Sequence, residues 1–348
     1  MPSLRTRLTT AVGSLAFAVI AAPLGAQPAP IDLGTLGGTR THAAAINNRQ
    51  QIVGSSTLAG STETHAFLWE GGVMHDLGGR WSSATAINDG GQIVGTTADL
   101  ATGTTIAVLW ENGQATVLPT LAGSFGCNPT GINQHGVIVG WCQVPVLDGL
   151  YSQGVLVRWV DGAIEQLASL EVDAFPTAIN DRGAIIGYAS SPPRTDAFMF
   201  LWQEGVLSHV DQLAGHHFDN VTGLNDHGDL AGYAPGTTQI LEALFWDGRT
   251  TVALPGLPGA IATLAYGINN RDEVVGLSVG GIGRNFPVIW TRKAILVLGT
   301  VPAVEITPAA ISDRGDVIGD AVLSPDRATV HALLWPRLGQ VRLQGGLD

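Results

Sequence analysis

The sequence predicts an all-β fold, a seven-bladed β-propeller of four-stranded antiparallel blades, and three observations lead to this prediction. A ten-residue motif recurs seven times, with anchors 41 to 47 residues apart. A tryptophan follows each anchor after 21 to 26 residues. Glycine supplies 46 of the 348 residues and charged residues only 13%, which is typical of short strands joined by tight turns. Four strands in about 44 residues is the length of one propeller blade.

Each unit begins with a short strand a that ends at an anchor residue. The anchors are Asn47, Asn88, Asn133, Asn180, Asn225, Asn269 and Ser312. In the copy TAINDGGQIVG (85–95), the Asn88 side chain is expected to accept a backbone N–H and so fold the turn. The fourth residue counted from the anchor, Gly91 here, should have a positive φ, as in a type I turn with a bulge. Gln50 and Asp272 replace that glycine in two copies, at an expected cost of about 1 kcal/mol each.

Strand b follows the turn, and after a variable loop strand c ends in the repeated tryptophan. These tryptophans are Trp69, Trp110, Trp159, Trp202, Trp246, Trp290 and Trp335. The residue two before each anchor is Ala or Gly, which would let inner strands approach closely near a propeller axis. The tryptophans are expected to fill the wider gap between blades further out, as core residues rather than as a ligand platform.

A second turn and a short strand d complete most units, and a ring of seven would leave no exposed end sheet. Two terminal segments, PIDLGTLGG (30–38) and GQVRLQGG (339–346), both have the strand d pattern. Seven blades therefore have eight d-like strands, and one of the two is expected to complete the ring beside the other chain end. Which one does so is not indicated. An open or helical β array built from the same unit remains the alternative.

The unit AINNxGQIVG…HAFLW…G…DLG resembles the HAF-type extracellular repeat family, named for the His-Ala-Phe triplet before Leu-Trp. His65-Ala66-Phe67 matches the triplet in full, and residues 196–198 and 331–333 match it in part. The resemblance covers residues 30–346. It implies a bacterial secreted repeat protein of undefined activity, and it offers no catalytic residues to transfer to this chain.

The N-terminal residues 1–26 have the pattern of a secretory signal peptide. Arg5 and Arg7 precede an apolar stretch, and small residues lead to an expected cleavage site after Ala26. An uncleaved anchor helix is the alternative, but the apolar stretch is short and contains a proline. We therefore expect residues 27–348 to form a single secreted propeller domain, periplasmic or extracellular, without membrane insertion.

Charge and composition exclude some partners. The formal net charge is −12, and the charges are scattered, so the chain lacks the basic footprint of a nucleic-acid-binding protein. We expect no cofactor, and the sequence does not indicate an oligomeric state.

The two cysteines, Cys127 and Cys142, flank the third a–b hairpin and are equidistant from its turn, 133–136. Folding the hairpin about that turn places them opposite one another, and in an oxidising compartment a disulfide is expected. Closing the loop should contribute roughly 3 kcal/mol in the chain-entropy model. Two free thiols, separated by a one-residue slip in register, are the alternative.

The sequence contains only weak candidates for a metal site. His216, His217 and Asp219 occur in GHHFDN, where a surface loop explains them better than a metal. Residues 225–229 and 312–316 faintly resemble calcium-binding loops, but no glutamate follows at the required distance. We therefore expect no metal.

Variation between units concentrates in the b–c and d–a loops, which lie at one end of every sheet in a propeller. The aromatic residues there are candidate ligand-binding residues. They are Trp81, Phe125, Trp141, Tyr151, Phe175, Tyr188, Phe218 and Tyr233. Aromatic residues on exposed loops suit a glycan or a protein partner, so we expect a non-enzymatic binding role on this face. The sequence shows no recognisable set of catalytic residues. Two alternatives to the binding role remain: a propeller hydrolase or lyase acting on extracellular polysaccharide, and a purely structural surface or matrix component.

Overall fold

A computed structural model describes residues 29–337 except 147–150, 168–172, 192–195, 215–216, 237 and 282–284. The predicted signal peptide and the d-like segment 339–346 lie outside the described residues. Within them the protein is all-β apart from one five-residue helix. None of the helical structure in the described ranges is long and apolar enough to cross a membrane.

The strands follow the predicted order a, b, c, d along the chain. The first are β1 (Ile31–Asp32), β2 (Gly37–Ile46), β3 (Ile52–Leu58), β4 (Thr64–Glu70), β5 (Val73–Gly78), β6 (Ser83–Ile87), β7 (Ile93–Asp99), β8 (Thr104–Glu111) and β9 (Gln114–Val117). Next come β10 (Cys127–Ile132), β11 (Ile138–Val146), β12 (Tyr151–Val160), β13 (Ala163–Gln166), β14 (Asp173–Ile179), β15 (Ile185–Ser191), β16 (Asp196–Gln203), β17 (Val206–His209) and the helix α1 (Val210–Ala214). The last are β18 (Asn220–Leu224), β19 (Leu230–Pro235), β20 (Leu241–Trp246), β21 (Thr251–Ala253), β22 (Ala260–Ile268), β23 (Val274–Gly280), β24 (Asn285–Trp290), β25 (Ile295–Val297), β26 (Glu305–Ile311), β27 (Val317–Val322) and β28 (Val330–Trp335).

Five units, from β6–β9 to β22–β25, are separate four-stranded antiparallel sheets. The first unit, β2–β5, and the last, β26–β28, are joined by one parallel pair, Arg40 with Val330, into a larger mixed sheet. This junction differs from the separate antiparallel blades that the sequence predicted. β1 pairs antiparallel with β28 and thus takes the strand d place in the last unit. The N-terminal d-like segment therefore pairs with the end of the repeat array.

The a–b turn has the predicted geometry. In the second unit, the backbone N–H of Asn88 donates to the Gln92 carbonyl at 3.1 Å, and that of Gly91 donates to the Asn88 carbonyl at 3.1 Å. Asn88 Oδ1 accepts the backbone N–H of Gln92 at 3.0 Å, and Gly91 has a φ of 84°. Gln50 and Asp272 adopt the same left-handed conformation, with φ of 62° and 58°. Asparagine folding of the turn is confirmed.

Strand a contains a bulge that the sequence analysis did not predict. The pairing of β6 with β7 shifts between Ala84 and Ala86, and the same shift occurs in all seven units. The bulge brings the backbone of strand a close to the glycine that ends each IVG motif. A Cβ on Gly95 would collide with the Ser83 carbonyl oxygen, and the other six units show the same clash at Gly54, Gly140, Gly187, Gly232, Gly276 and Gly319. Close backbone approach therefore explains this repeated glycine.

The repeated tryptophans are core residues, as expected. All seven are between 1% and 7% exposed. Three indole N–H groups donate to a carbonyl oxygen of the preceding unit: Trp159 to Pro119 at 2.7 Å, Trp290 to Pro255 at 2.8 Å, and Trp335 to Gly299 at 2.6 Å. The hydrophobic clusters combine residues of neighbouring units. One of them contains Ile52 and Trp69 of the first unit together with Ile318 and Leu334 of the last.

Hydrogen bonds between successive anchors link the turns of neighbouring sheets. The side-chain amide of each asparagine anchor donates to the carbonyl of the next anchor, at 2.9 to 3.4 Å. The residue after each anchor donates its backbone N–H to a side-chain oxygen of its counterpart in the next unit, at 2.7 to 2.8 Å. These counterparts are Asn48, Asp89, Gln134, Asp181, Asp226, Asn270 and Asp313.

The predicted disulfide is present. Cys127 on β10 lies directly opposite Cys142 on β11, and the two are bonded. Both side chains are fully buried. The bond ties together the a and b strands of the third unit.

Candidate functional site

Two ends of the sheets differ in character: the turn end carries the a–b and c–d turns, and the loop end carries the b–c and d–a loops. At the loop end, each a–b hairpin has one cross-strand pair just beyond the bulge. The pairs are His42–Ser55, Ser83–Thr96, Asn128–Trp141, Phe175–Tyr188, Asn220–Tyr233, Leu264–Leu277 and Thr307–Asp320. Their chemistry varies from unit to unit, which makes the loop end the place where this protein can acquire binding specificity.

Three aromatic side chains from the third and fourth units meet at the loop end, and we call Trp141, Phe175 and Tyr188 the aromatic cluster. The Trp141 and Phe175 ring centroids are 5.0 Å apart in an edge-to-face arrangement. Phe175 and Tyr188 are stacked, with centroids 4.9 Å apart and planes 24° apart. Gly154 on β12 leaves room for the Phe175 ring, which a Cβ at that position would strike. Tyr188 is 44% exposed, so the cluster has an aromatic surface that is accessible to solvent.

Other predicted ligand-binding residues lie apart from this cluster. Trp81 and Phe125 are 48% and 52% exposed in d–a loops, and no ring contact among the described residues joins either to the cluster. Tyr233 is half-buried, and its hydroxyl accepts the Asn220 side-chain amide at 3.1 Å. Tyr151 begins β12, and its side chain lies outside the described part of the chain.

Phe218 requires a correction, because it is only 2% exposed. Its backbone N–H donates to Asp211 of α1 at 2.9 Å, and its ring packs in a cluster with Val210 and Ala214 of the same helix. These contacts with the short helix place Phe218 in the core instead of on the loop surface.

The GHHFDN segment forms an ion-pair arrangement around His217. The two ring nitrogens of His217 lie 2.7 Å from Asp211 and 2.7 Å from Asp219. The hydrogen bond with Asp211 raises the pKa of His217, and Asp219 acts in the same direction. The two flanking carboxylates therefore favour the imidazolium form of His217. His216 lies outside the described residues.

A cavity of about 690 Å³ opens at the loop end between the first and last units. Its lining includes Arg40, His42, Glu305, Asp320 and Arg327. His42 Nδ1 hydrogen-bonds to Asp320 Oδ2, and this bond raises the pKa of His42 against the opposing effect of burial. Arg327 pairs with Glu305 at 2.9 Å. Sequence reasoning missed this cavity because its residues come from the two distant ends of the repeat array.

Burial shifts two further titratable groups. It raises the pKa of Asp181 at the turn end, where Asp226 and Asp313 add a like-charge effect. It also raises the pKa of Tyr266 on β22, with smaller contributions from Tyr233 and Glu305. Both groups are therefore biased toward their neutral forms.

Comparisons with known proteins establish the fold and nothing finer. No protein-family model matches the chain, and no curated protein matches it. The β-propeller domain of the Trilobed protease from Pyrococcus furiosus is similar with a TM-score of 0.53 and 9% identity, over 73% of this chain and 81% of that one. A chain of the mitotic checkpoint complex gives 0.51 and 13%, over 95% and 99%.

The Pyrococcus horikoshii acylaminoacyl peptidase is similar with a TM-score of 0.50 and 11% identity, over 82% of this chain. This chain spans only 50% of that peptidase's length. At such identities the likeness concerns architecture alone. The protein is an all-β chain with a β-propeller fold.

Proposed function

We propose that the protein is an exported, closed seven-bladed β-propeller of the HAF-type repeat family, and that its loop end binds an extracellular glycan. The hydrogen bond from the Asp313 backbone to Asn48 supports closure, because it continues from the last unit to the first the same contact that joins the other units. The Cys127–Cys142 disulfide is compatible with an extracellular or periplasmic location.

The aromatic cluster is the observation that carries the binding proposal. Pyranose rings have apolar C–H faces that pack on aromatic rings, and a preorganised ring loses little conformational entropy on binding. Trp141 and Gly154 hold Phe175 in place, and Phe175 in turn supports the partly exposed Tyr188. Polar side chains at equivalent positions, such as Asn128 and Asn220, provide hydrogen-bonding groups of the kind that orient hydroxyls.

The test is binding of the full chain to a glycan array, followed by titration of the best ligand by calorimetry. Tyr188→Ala should weaken binding at least tenfold, whereas Val117→Ala, which truncates an even more exposed apolar residue on β9, should leave it unchanged. The absence of glycan binding by the unaltered chain, or equal affinity of the Tyr188→Ala variant, would contradict the proposal.

The cavity between the first and last units favours a second candidate, a hydrolase or lyase acting on extracellular polysaccharide. His42 and Asp320 form a histidine–carboxylate pair there, and Arg40 lies in the same lining. Such a pair suits general acid–base chemistry. Chain-end release from polysaccharide that is lost in His42→Ala would support this alternative. Turnover that persists unchanged in His42→Ala would contradict it.

A further inference from the structure

Two junctions at the turn end depart from the common arrangement. Five units have glycine at the fourth turn position, but Gln50 and Asp272 occupy it in the first and sixth units. Each of these side chains meets an aspartate of the preceding unit. Gln50 Nε2 donates to Asp316 Oδ1 at 3.0 Å, whereas Asp272 meets Asp229.

The two junctions differ in charge. At the first, an amide donor complements a carboxylate. At the second, two carboxylates face each other, and their side chains are only 13% and 6% exposed for Asp229 and Asp272. Arg292 pairs with Asp272 Oδ2, so it neutralises one of the two charges.

His227 completes a group of three possible metal ligands. Its Nδ1 lies 3.4 Å from Asp272 Oδ1 and 3.9 Å from Asp229 Oδ2. One ligand atom from each of the three residues lies within 4.8 Å of the others, and no other trio among the described residues meets this geometry. Asn225 Nδ2 donates to Asp229 Oδ2 at 3.0 Å and to Asp272 Oδ1 at 3.1 Å, which fixes both carboxylates.

The group opens onto a cavity of about 750 Å³, which is also lined by Arg249, Trp290 and Arg292. A cation can therefore enter from solvent. Three protein ligands would leave at least one coordination position of a bound cation for water or a small ligand.

We infer that His227, Asp229 and Asp272 bind one divalent transition-metal ion of the zinc class. The imidazole contributes Nδ1, and each carboxylate contributes one oxygen, while Arg292 keeps Asp272 Oδ2. One nitrogen and two oxygen ligands suit Zn²⁺ and its neighbours, whereas Ca²⁺ prefers oxygen ligands alone. This site does not depend on the proposed glycan binding, which lies at the loop end. It also differs from the sequence-based expectation of no metal.

The chain offers a matched pair of test variants. Asp272→Gly removes a ligand and introduces the residue that five units already have, so it also relieves the left-handed backbone. Gln50→Gly makes the corresponding change at the first junction, away from the three ligands. His227→Ala removes the imidazole, whose side chain is 53% exposed, with little expected effect on folding.

The full chain, stripped with a chelator, is titrated with ZnCl₂ by calorimetry, and its thermal unfolding is followed with and without Zn²⁺. We expect one Zn²⁺ per chain for the unaltered protein and for Gln50→Gly, with a raised Tm in both. Asp272→Gly and His227→Ala should bind at least tenfold more weakly and show no Tm shift. The inference is overturned by no Zn²⁺ binding to the unaltered chain, by equal affinity in Asp272→Gly, or by a Tm response to Ca²⁺ but not to Zn²⁺.

Discussion

The backbone N–H of Asp313 donates a 2.8 Å hydrogen bond to Oδ1 of Asn48, although 265 residues separate them in the sequence. Asp313 in turn accepts the Asn270 backbone N–H at 2.8 Å, and its second oxygen accepts the Asn48 side-chain amide at 3.1 Å. One carboxylate therefore connects the last unit to its neighbours on both sides.

Asp313→Ala should lower the free energy of unfolding by about 2 kcal/mol, because it leaves the Asn270 N–H and the Asn48 amide without this acceptor. Chemical denaturation measures the change. Gln114→Ala, an exposed change on β9, is the control and should cost less than about 0.5 kcal/mol. Equal stability of the two variants would show that the contact contributes little to the fold.

Gly95→Ala should destabilise the protein by roughly 3 kcal/mol or prevent folding, because the added Cβ would collide with the Ser83 carbonyl oxygen. The matched control is Gly281→Ala, where the added Cβ has no neighbour within 4 Å. Circular dichroism and thermal unfolding distinguish the two. A Gly95→Ala variant as stable as Gly281→Ala would contradict the explanation given for the repeated IVG glycine.

The double variant Cys127→Ala, Cys142→Ala should lose roughly 3 kcal/mol of stability, since the bond closes a loop of 15 residues. Because neither sulfur of the disulfide is a free thiol, alkylation in denaturant without reductant should modify neither cysteine, and both should react once a reductant is added. Mass spectrometry under non-reducing conditions measures this. Two thiols alkylated without reductant would show that the bond does not form in the protein.

The pair of His42 and Asp320 should make stability depend weakly on pH. The hydrogen bond to Asp320 raises the pKa of His42 in the folded protein above the value near 6.5 of the unfolded chain. The pair therefore stabilises the fold fully below about pH 6.5, and this contribution is lost as the pH rises through the folded value. The effect is small, because the His42 side chain is 63% exposed.

Nuclear magnetic resonance titration of the His42 ring measures that pKa directly. In Asp320→Asn the pKa should fall, and the difference in stability between the two proteins should narrow at high pH. A His42 pKa unaffected by Asp320→Asn would exclude this pair as the cause.

Local chemistry made much of this fold predictable. Asn88 specifies the turn through its side chain, and the spacing of Cys127 and Cys142 about one turn specifies their register. The buried indoles, such as Trp159, follow from a large apolar side chain recurring at one strand position. Each of these features depends on residues close together in the chain or on the repeat period itself.

The features that escaped prediction depend on contacts between units. The bulge in strand a does not change the pattern of apolar residues in the sequence. The reason for glycine at position 95 therefore became clear only from the structure, in which the Ser83 carbonyl oxygen lies beside it. Phe218 was expected to be an exposed loop residue, but in the structure it packs against α1 in the core. The contact between Asp229 and Asp272 could not be predicted, because the sequence does not show that the fourth turn position of one unit faces the fifth position of the preceding unit.

The pairing of β1 with β28 has a consequence for how the chain acquires its structure. Among the described strands β1 is synthesised first and its partner β28 last, so β1 stays without its partner until nearly the whole polypeptide is available. Bringing these distant segments together is the entropically most demanding contact in the array. A newly made chain therefore keeps this segment open to aggregation and proteolysis until its two ends meet.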